Sequence, residues 1–165
     1  MIINYFSNHI KDISMSYTRL LYHIIFRTKH SIPAISIEHE KELYKYIWGF
    51  VKNKESMLYR INGMPDHLHL FVELAAKLSL SDFVRDLKTS TAKWLTNNPL
   101  FPYFQGWGKG YATFSYGLNE KDKIINYIMT QKEHHQSSSF ETELRRLLGE
   151  HGCTIDEKYF MKDDE

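Results

Sequence analysis

The sequence predicts an α+β fold of the ferredoxin-like (RRM-like) type, a split βαβ arrangement built on an antiparallel sheet. Two observations predict it: strand and helix patterns follow the order β-α-β-β-α-β, and two more helical segments come after the last strand. In this fold helices cover one face of the sheet, and the C-terminal helices are an addition to it. We therefore expect the other face of the sheet to be open and available for a site.

The four predicted strands are short segments rich in β-branched, aromatic and other apolar residues. The first covers residues 17–27. Residues 57–62 and 67–74 form a hairpin around the turn residues 63–66, and the second of these strands alternates with period two. Residues 111–117 supply the fourth strand after a loop that contains several glycines and prolines.

Four segments carry apolar residues at helical spacing. They are residues 38–52, 79–97, 119–135 and 139–152. Small polar residues are the expected caps because their side chains can accept a hydrogen bond from the first helical turn. The predicted caps are Ser36, Asn119, and either Ser138 or Ser139.

Length and composition are those of one domain. The chain has 165 residues, 42% of them hydrophobic, which is enough to bury a core unaided. We expect residues 15–165 to form this single domain. Residues 1–14 are expected to be a loosely held leader, because they lack the basic and apolar regions of a secretory signal and are followed by a second methionine, Met15.

Apolar runs and cysteine content narrow the class of protein. The sequence has no run of eighteen apolar residues, which excludes a membrane-spanning helix. Cys153 is the single cysteine, so a reducing cytoplasm is the expected compartment.

Charge is distributed unevenly along the chain. The formal net charge is +1, but from Glu133 onward nine acidic and four basic residues give −5, so residues 1–132 carry +6. A basic body with an acidic tail is compatible with binding DNA, although ordinary solvated surface charge explains it equally well.

The third predicted strand contains an H-x-H tripeptide. Side chains two apart in a strand point the same way, so His67 and His69 share one face while Leu68 and Leu70 share the other, which we expect to be core. Two imidazoles side by side can converge on one divalent cation. Two surface histidines on a half-exposed strand are the simpler alternative.

A tyrosine and a glutamine have matching spacing on the helix that follows the fourth strand. Tyr127 and Gln131 lie four residues apart, so they share one helix face and could present a phenol and an amide oxygen together. Taken alone, Tyr127 is also explained as one of eleven tyrosines, packing its helix onto the sheet.

Four polar residues near these motifs have ordinary explanations. Glu73 could orient a histidine, but a solvated carboxylate at a strand end explains it more simply, and Asp66 is equally a turn residue. His134 and His135 are interpreted as solvated charge at a helix end.

Four sequence blocks together carry a resemblance to a known family. They are PDHLHLFVEL, WGKGYATFSYG, NYIMTQKEHH and FETELRRLLGEHG. In this order they resemble the insertion sequence 200/605 family of single-tyrosine transposases, members of the HUH nuclease superfamily, and the similarity runs from about Met15 to about Phe160. The resemblance implies that His67 and His69 bind a catalytic metal, that Tyr127 is the nucleophile and that Gln131 completes the metal shell.

The same resemblance implies a reaction and partners. It implies a transposase that cleaves and rejoins single-stranded DNA through a 5′-phosphotyrosine, with Mg²⁺ or Mn²⁺ as the cation. The family's active unit is a homodimer that exchanges the tyrosine helix between subunits, and hairpins at the element ends are its targets. Gly117 and Asn119, which precede the tyrosine helix, would allow such an exchange.

Basic and aromatic residues that could contact DNA occur in two segments. The candidates on the second predicted helix are Arg85, Lys88 and Lys93, and those in the glycine-rich loop are Trp107, Lys109 and Tyr111. Cations neutralise the phosphate backbone and aromatic rings stack on bases, so both kinds of contact are available.

Three alternatives remain at this stage. A domesticated relative that nicks and joins hairpins would have the same catalytic residues. A nucleic-acid-binding module of this fold that has lost catalysis would use aromatics on an open sheet face. A structural zinc site is the third, but such sites are usually closed by four protein ligands, and the sequence offers three candidates.

Overall fold

Strands and helices follow one another in the predicted order. The structure, a computed structural model, describes residues 16–163. The strands are β1 (Leu21–Arg27), β2 (Met57–Met64), β3 (His67–Glu73) and β4 (Ala112–Tyr116). The helices are α1 (Glu40–Asn53), α2 (Leu80–Thr96), α3 (Lys121–Met129), α4 (Gln131–His134) and α5 (Phe140–Glu150).

The strands form one antiparallel sheet in the order β2-β3-β1-β4. This order, with both inner strands from different halves of the split βαβ unit, confirms the predicted fold class. In the register Ile25 of β1 lies opposite His69 of β3 and Ala112 of β4. The H-x-H motif lies at the first residues of the inner strand β3, with a neighbouring strand on each side.

One face of the sheet packs against α1 and α2 and forms the larger apolar core. The alternate leucines of β3, Leu68 and Leu70, are completely buried there, as predicted from their spacing. Leu43 and Ile47 of α1 and Phe83 of α2 pack in the same cluster. Burying such a side chain contributes roughly 1.5–3 kcal/mol, so this face supplies much of the drive to fold.

The other face of the sheet is covered by the C-terminal helices, so the expectation of an open face is wrong. Leu21 and Phe71 pack with Ile124 of α3, while Ile25 packs with Phe140 of α5. The physical reason is that this face also carries apolar side chains, and the amphipathic helices that end the chain bury them. Any site on this face is consequently enclosed.

The predicted helix 119–135 is divided into α3 and α4. Thr130 stands at the junction, with its hydroxyl donating to the carbonyl of Asn126 at 2.9 Å, a local bond that competes with regular helix. Asn119 lies in a short 3-10 turn and does not cap α3.

The predicted caps of the first and last helices have different outcomes. Ser36 does not cap the first helix, which begins after His39 without a side-chain cap. Ser139 caps α5 as predicted, and its hydroxyl accepts from the N–H of Thr142 at 3.2 Å.

The segment after α5 returns to the sheet and ends in a buried ion pair. Asp163 accepts hydrogen bonds from both terminal nitrogens of Arg27, at 2.7 and 2.9 Å, and from the backbone N–H groups of His30 and Lys109. Burial alone would raise the pKa of Asp163, but these donors lower it to about 2. The tail is thereby tied to β1.

Two observations concern the ends of the chain and membranes. The leader predicted for residues 1–14 lies outside the described residues. Among residues 16–163, no helix combines the length and apolar character that crossing a bilayer requires.

Candidate functional site

The two histidines of the H-x-H motif lie on the covered face, beneath the C-terminal helices. Their side chains are fully buried. Each ring has its Nδ1 atom held by a neighbour: His67 Nδ1 lies 2.7 Å from a carboxylate oxygen of Asp66, and His69 Nδ1 lies 2.8 Å from Nε2 of His23. Both Nε2 atoms therefore face the space between the sheet and α5, the arrangement that orients histidines as metal ligands.

Glu143 of α5 reaches into that space and joins the predicted residues together. One of its oxygens, Oε2, accepts hydrogen bonds from the Tyr127 hydroxyl and from the Gln131 amide nitrogen. The other, Oε1, lies 3.0 Å from Nε2 of His69 and 3.1 Å from Nε2 of His135. A single carboxylate thus contacts four polar side chains.

The charge state of this cluster follows from burial and from the carboxylate. Burial alone would raise the pKa of Glu143, but hydrogen bonds from His135, His69 and Tyr127 hold it far below its ordinary value, so Glu143 is an anion. Burial lowers the pKa of His69 to about 4, against the opposing effect of Glu143, which keeps this ring neutral near pH 7.

Tyr127 is brought to the same cluster by α3. Its hydroxyl donates to Glu143 and accepts from a terminal nitrogen of Arg146 at 2.9 Å. Burial and the Glu143 carboxylate both raise the pKa of the phenol above its ordinary value, so it carries its proton at neutral pH. The ring centroids of Tyr127 and His69 are 6.1 Å apart within one chain.

Sequence reasoning missed three members of the site and misinterpreted a fourth. Glu143, Arg146 and His23 were not predicted, because they lie on β1 and α5, outside the two motifs, and only the docking of α5 on the sheet brings them to the site. His135 was interpreted as solvated, which is wrong: its side chain is only 5% exposed and contacts Glu143. Its spacing, four residues after Gln131 as Gln131 is after Tyr127, was an available signal.

The other residues near the motifs have mixed outcomes. Asp66 is more than a turn residue, since it holds His67. Glu73 does not contact either motif histidine and accepts instead from Tyr59 and from Arg19, which is exposed. His134 lies outside the buried cluster, with its ring 4.8 Å from that of Tyr127.

Four residues of the cluster could hold a metal ion. One ligand atom from each of His67, His69, His135 and Glu143 lies within 4.8 Å of the others. Imidazole nitrogen and carboxylate oxygen are donors for first-row divalent ions, so the residues fit the cation that the H-x-H motif implied. The site therefore has at least four candidate metal ligands, and the expectation of three was wrong.

The candidate DNA-contacting residues lie on α2 and on the glycine-rich loop that packs against it. Arg85 and Lys93 are exposed on α2, which packs on the opposite face of the sheet from Tyr127. The ammonium of Lys88 donates to the carbonyls of Gly108 and Gly110.

The loop candidates are divided between core and surface. The indole of Trp107 packs against Phe26 and Phe104 and donates to the hydroxyl of Thr91, so Trp107 belongs to the core. Lys109 and Tyr111 are exposed. Trp107 is therefore engaged in packing, whereas Arg85, Lys93, Lys109 and Tyr111 keep exposed side chains.

Comparison with known proteins identifies the family. Residues 16–131 match the family model described as "Transposase IS200 like". The chain belongs to the IS200-like transposase family. The resemblance inferred from the four sequence blocks is thereby confirmed, and an IS200-like transposase acts on DNA. Two similar proteins, the transposases for insertion sequence element IS200 of Salmonella typhimurium and Salmonella typhi, are each 28% identical to this IS200-like chain over 127 residues, 73% of it and 83% of theirs.

Two solved structures share the fold of this transposase family member. A crystal structure from Deinococcus radiodurans assigned as a transposase has a TM-score of 0.57 and 24% identity, covering 74% of this chain and 98% of that one. A REP-associated tyrosine transposase bound to a REP hairpin also has a TM-score of 0.57, with 11% identity, and covers 94% of this chain and 98% of that one.

Proposed function

We propose that this IS200-like transposase cleaves and rejoins single-stranded DNA through a covalent 5′-phosphotyrosine on Tyr127, as a single-tyrosine enzyme of the HUH type. In this proposal His67, His69 and Gln131 bind a divalent cation, Mg²⁺ or Mn²⁺. The observation that carries it is the hydrogen-bond network through Glu143, which joins the only phenol of the cluster to the H-x-H histidines among the described residues.

The reaction follows from the groups around the phenol. The O–H bond of Tyr127 breaks as its oxygen forms a bond to phosphorus, and the phosphorus bond to the 3′ oxygen of the upstream nucleotide breaks. The phenol's proton is released to water, with Glu143 accepting it in a hydrogen bond until it leaves, and the departing 3′ oxygen takes a proton from water. Rejoining is the reverse, with a free 3′-hydroxyl attacking the phosphotyrosine.

Two positive groups offset the negative charge of the reaction. Arg146 donates to the phenol oxygen, so it stabilises that oxygen as it loses its proton. The histidines would hold a cation that, when bound, would neutralise charge on a phosphate oxygen and polarise phosphorus. Since the phosphodiester energy is retained in the tyrosine ester, strands can be rejoined without ATP.

The partners in this proposal are DNA hairpins and a second copy of the chain. A structural neighbour described as bound to a REP hairpin supports hairpin DNA. The exposed Arg85, Lys93, Lys109 and Tyr111 remain candidates for contacting DNA away from the cleavage site. A homodimer, from the family resemblance, and a cytoplasmic location, from the single cysteine Cys153, are part of the proposal.

A metal site with a purely structural role is the main competing function, since four ligand candidates occur. The contact of Tyr127 with the same carboxylate favours catalysis, because a structural site has no need of a phenol.

The experiment is a covalent-adduct assay with Tyr127→Phe. We expect the wild type, given Mn²⁺ and a single-stranded hairpin oligonucleotide with flanking sequence, to form a protein–DNA adduct that retains the strand on the 3′ side of the nick. Tyr127→Phe should form none, a loss of at least about 10³-fold, because the nucleophilic oxygen is gone. The fold should be unaffected.

Tyr59→Phe is the matched control, since Tyr59 also donates to a glutamate on this face of the sheet. It should retain the adduct. Adduct formation by Tyr127→Phe would assign the nucleophile elsewhere, and an adduct retaining the 5′-side strand would reverse the proposed polarity.

A further inference from the structure

The buried cluster contains several hydrogen-bond acceptors that face one another. The Nδ1 atom of His135 lies 2.7 Å from the carbonyl oxygen of Ser138, and a carbonyl can only accept, so Nδ1 carries the hydrogen. The same reasoning applies to His67, whose Nδ1 faces the carboxylate of Asp66. In their neutral forms both rings therefore direct an Nε2 lone pair into the cluster.

The Nε2 lone pairs of His67 and His135 point at other hydrogen-bond acceptors. His135 Nε2 lies 3.1 Å and His67 Nε2 lies 3.6 Å from the same oxygen, Oε1 of Glu143. Gln131 adds another, because its NH₂ group donates to Glu143 and its amide oxygen is thereby turned toward His67 Nε2, 3.4 Å away. Acceptors at these distances repel one another unless a positive charge lies between them.

A proton on His135 would relieve one of these contacts and leave the others. A divalent cation would relieve all of them, because every atom involved is a metal donor. His69 adds the third imidazole, 3.0 Å from the same carboxylate oxygen, and its Nδ1 is held by His23 as a histidine ligand's usually is. Three imidazole nitrogens thus surround one carboxylate oxygen.

We propose that His135 and Glu143 are metal ligands, so that the cation is held by three imidazoles and a carboxylate and the site selects a transition-metal ion such as Mn²⁺ over Mg²⁺. This inference rests on the proposed function and extends its ligand set beyond His67, His69 and Gln131. Nitrogen donors favour transition metals, whereas Mg²⁺ prefers oxygen and water. With the amide oxygen of Gln131, 3.4 Å from His67 Nε2, the chain would offer such an ion five donors.

The shell would also give Glu143 two separate tasks. Its Oε1 atom faces the three imidazoles, whereas Oε2 faces Tyr127 and Gln131. The carboxylate therefore ties the nucleophile to the cation site through one rigid group on α5.

The test measures metal binding without DNA, by titrating Mn²⁺ and Mg²⁺ into wild type, His135→Ala and Glu143→Gln. We expect Mn²⁺ to bind the wild type at least about tenfold more tightly than either variant, and the preference for Mn²⁺ over Mg²⁺ to shrink in His135→Ala. His134→Ala is the matched control, because that neighbouring histidine lies outside the cluster; it should bind Mn²⁺ within about twofold of wild type.

X-ray absorption of the Mn²⁺-loaded proteins counts the imidazoles bound to the ion. The count shows whether His135 binds the ion itself or only affects binding through a neighbouring ligand. The imidazole count should be three in wild type and two in His135→Ala. A count of two in wild type, or Mn²⁺ affinity unchanged in both variants while His67→Ala loses it, would overturn the proposal. If His135→Ala does not fold, as judged by circular dichroism, the Mn²⁺ affinity of Glu143→Gln decides in its place. A loss of at least about tenfold supports the proposal, and an unchanged affinity overturns it.

Failure of this inference is distinguishable from failure of the proposed function. The metal measurements use no DNA, and the adduct assay of Tyr127→Phe does not depend on how many imidazoles bind the ion. If the wild type binds Mn²⁺ through two imidazoles and still forms the adduct, His135 is not a ligand, but the proposed DNA cleavage through Tyr127 stands.

Discussion

Helices bury both faces of the central sheet, but the kinds of contact that close the two faces differ. Leu70 and His69 are near neighbours on β3 and both are fully buried, yet one points at α1 and α2 and the other at α5. The leucine face is held by apolar contact, which is non-directional. The histidine face is held partly by apolar contacts, such as that of Ile25 with Phe140, and partly by paired polar groups, each of which depends on its partner.

This difference means that a substitution on the histidine face affects more neighbouring residues than one on the leucine face. On the leucine face a substitution changes stability through the volume of the side chain alone. On the histidine face, removal of one member leaves another buried polar atom without its partner, so changes there propagate through the network. Among residues 16–163 each face already holds one such atom, Nδ1 of His23 on the histidine face and Oγ1 of Thr113, opposite Ile24, on the leucine face.

The largest expected effect on stability is on the leucine face. Leu70→Ala should lower the free energy of unfolding by about 3 kcal/mol, because it removes transfer energy and leaves a cavity. The measurement is urea unfolding followed by circular dichroism. While the variant is folded, its Mn²⁺ affinity should match that of the wild type, since Leu70 points away from the site.

Leu118→Ala is the control for Leu70→Ala. Leu118 is 53% exposed, so the same chemical change there should cost less than about 0.5 kcal/mol. Equal losses at both positions would contradict the assignment of the leucine face as the packed core.

A smaller effect is expected where the histidine face is closed by the tail. Asp163 has its pKa lowered to about 2 in the folded chain, from an ordinary value of 3.8, mainly by Arg27 acting against burial. A lowered folded pKa gives stability that is present above the unfolded value and is lost as the pH falls through the folded one. We expect about 2 kcal/mol of stability to disappear between about pH 5 and pH 2 for this group.

The measurement is the difference in unfolding free energy between wild type and Asp163→Asn at several pH values. Other acidic groups titrate in both proteins, so only the contribution of Asp163 remains in the difference. The gap should narrow as the pH falls. A gap that stays constant would mean that the Arg27–Asp163 pair does not tie the tail to the sheet.

The sequence predicted the leucine face better than the histidine face for a physical reason. Alternation in β3 and helical spacing in α1 and α2 are local patterns, and they indicated both the elements and the residues that pack between them. The same local rules paired His67 with His69 and Tyr127 with Gln131. The fold brings those four residues together within one chain, whereas the family resemblance implied a tyrosine helix exchanged between subunits.

What the sequence could not predict depends on how α5 docks. The spacing of Phe140 and Leu147 indicates an amphipathic helix, but it does not say which apolar surface the helix will cover. Glu143 enters the site only because α5 lies across the histidine face, a contact between residues 74 positions apart. The assumption of an open sheet face hid this contact, and with it the roles of His135 and Arg146.

The smallest expected effect on stability is that of removing a helix cap, and the same substitution can be made on each face of the sheet. Ser79 caps α2 and Ser139 caps α5, each accepting from the N–H three residues later, at 3.1 and 3.2 Å. Ser→Ala at either position should cost about 1 kcal/mol of stability, measured by urea unfolding. Only Ser139→Ala should also weaken Mn²⁺ binding, by up to about fivefold, because fraying of the first turn of α5 releases the carboxylate of Glu143. If Ser79→Ala weakened Mn²⁺ binding as much, the loss would reflect stability in general and the two faces would not be independent.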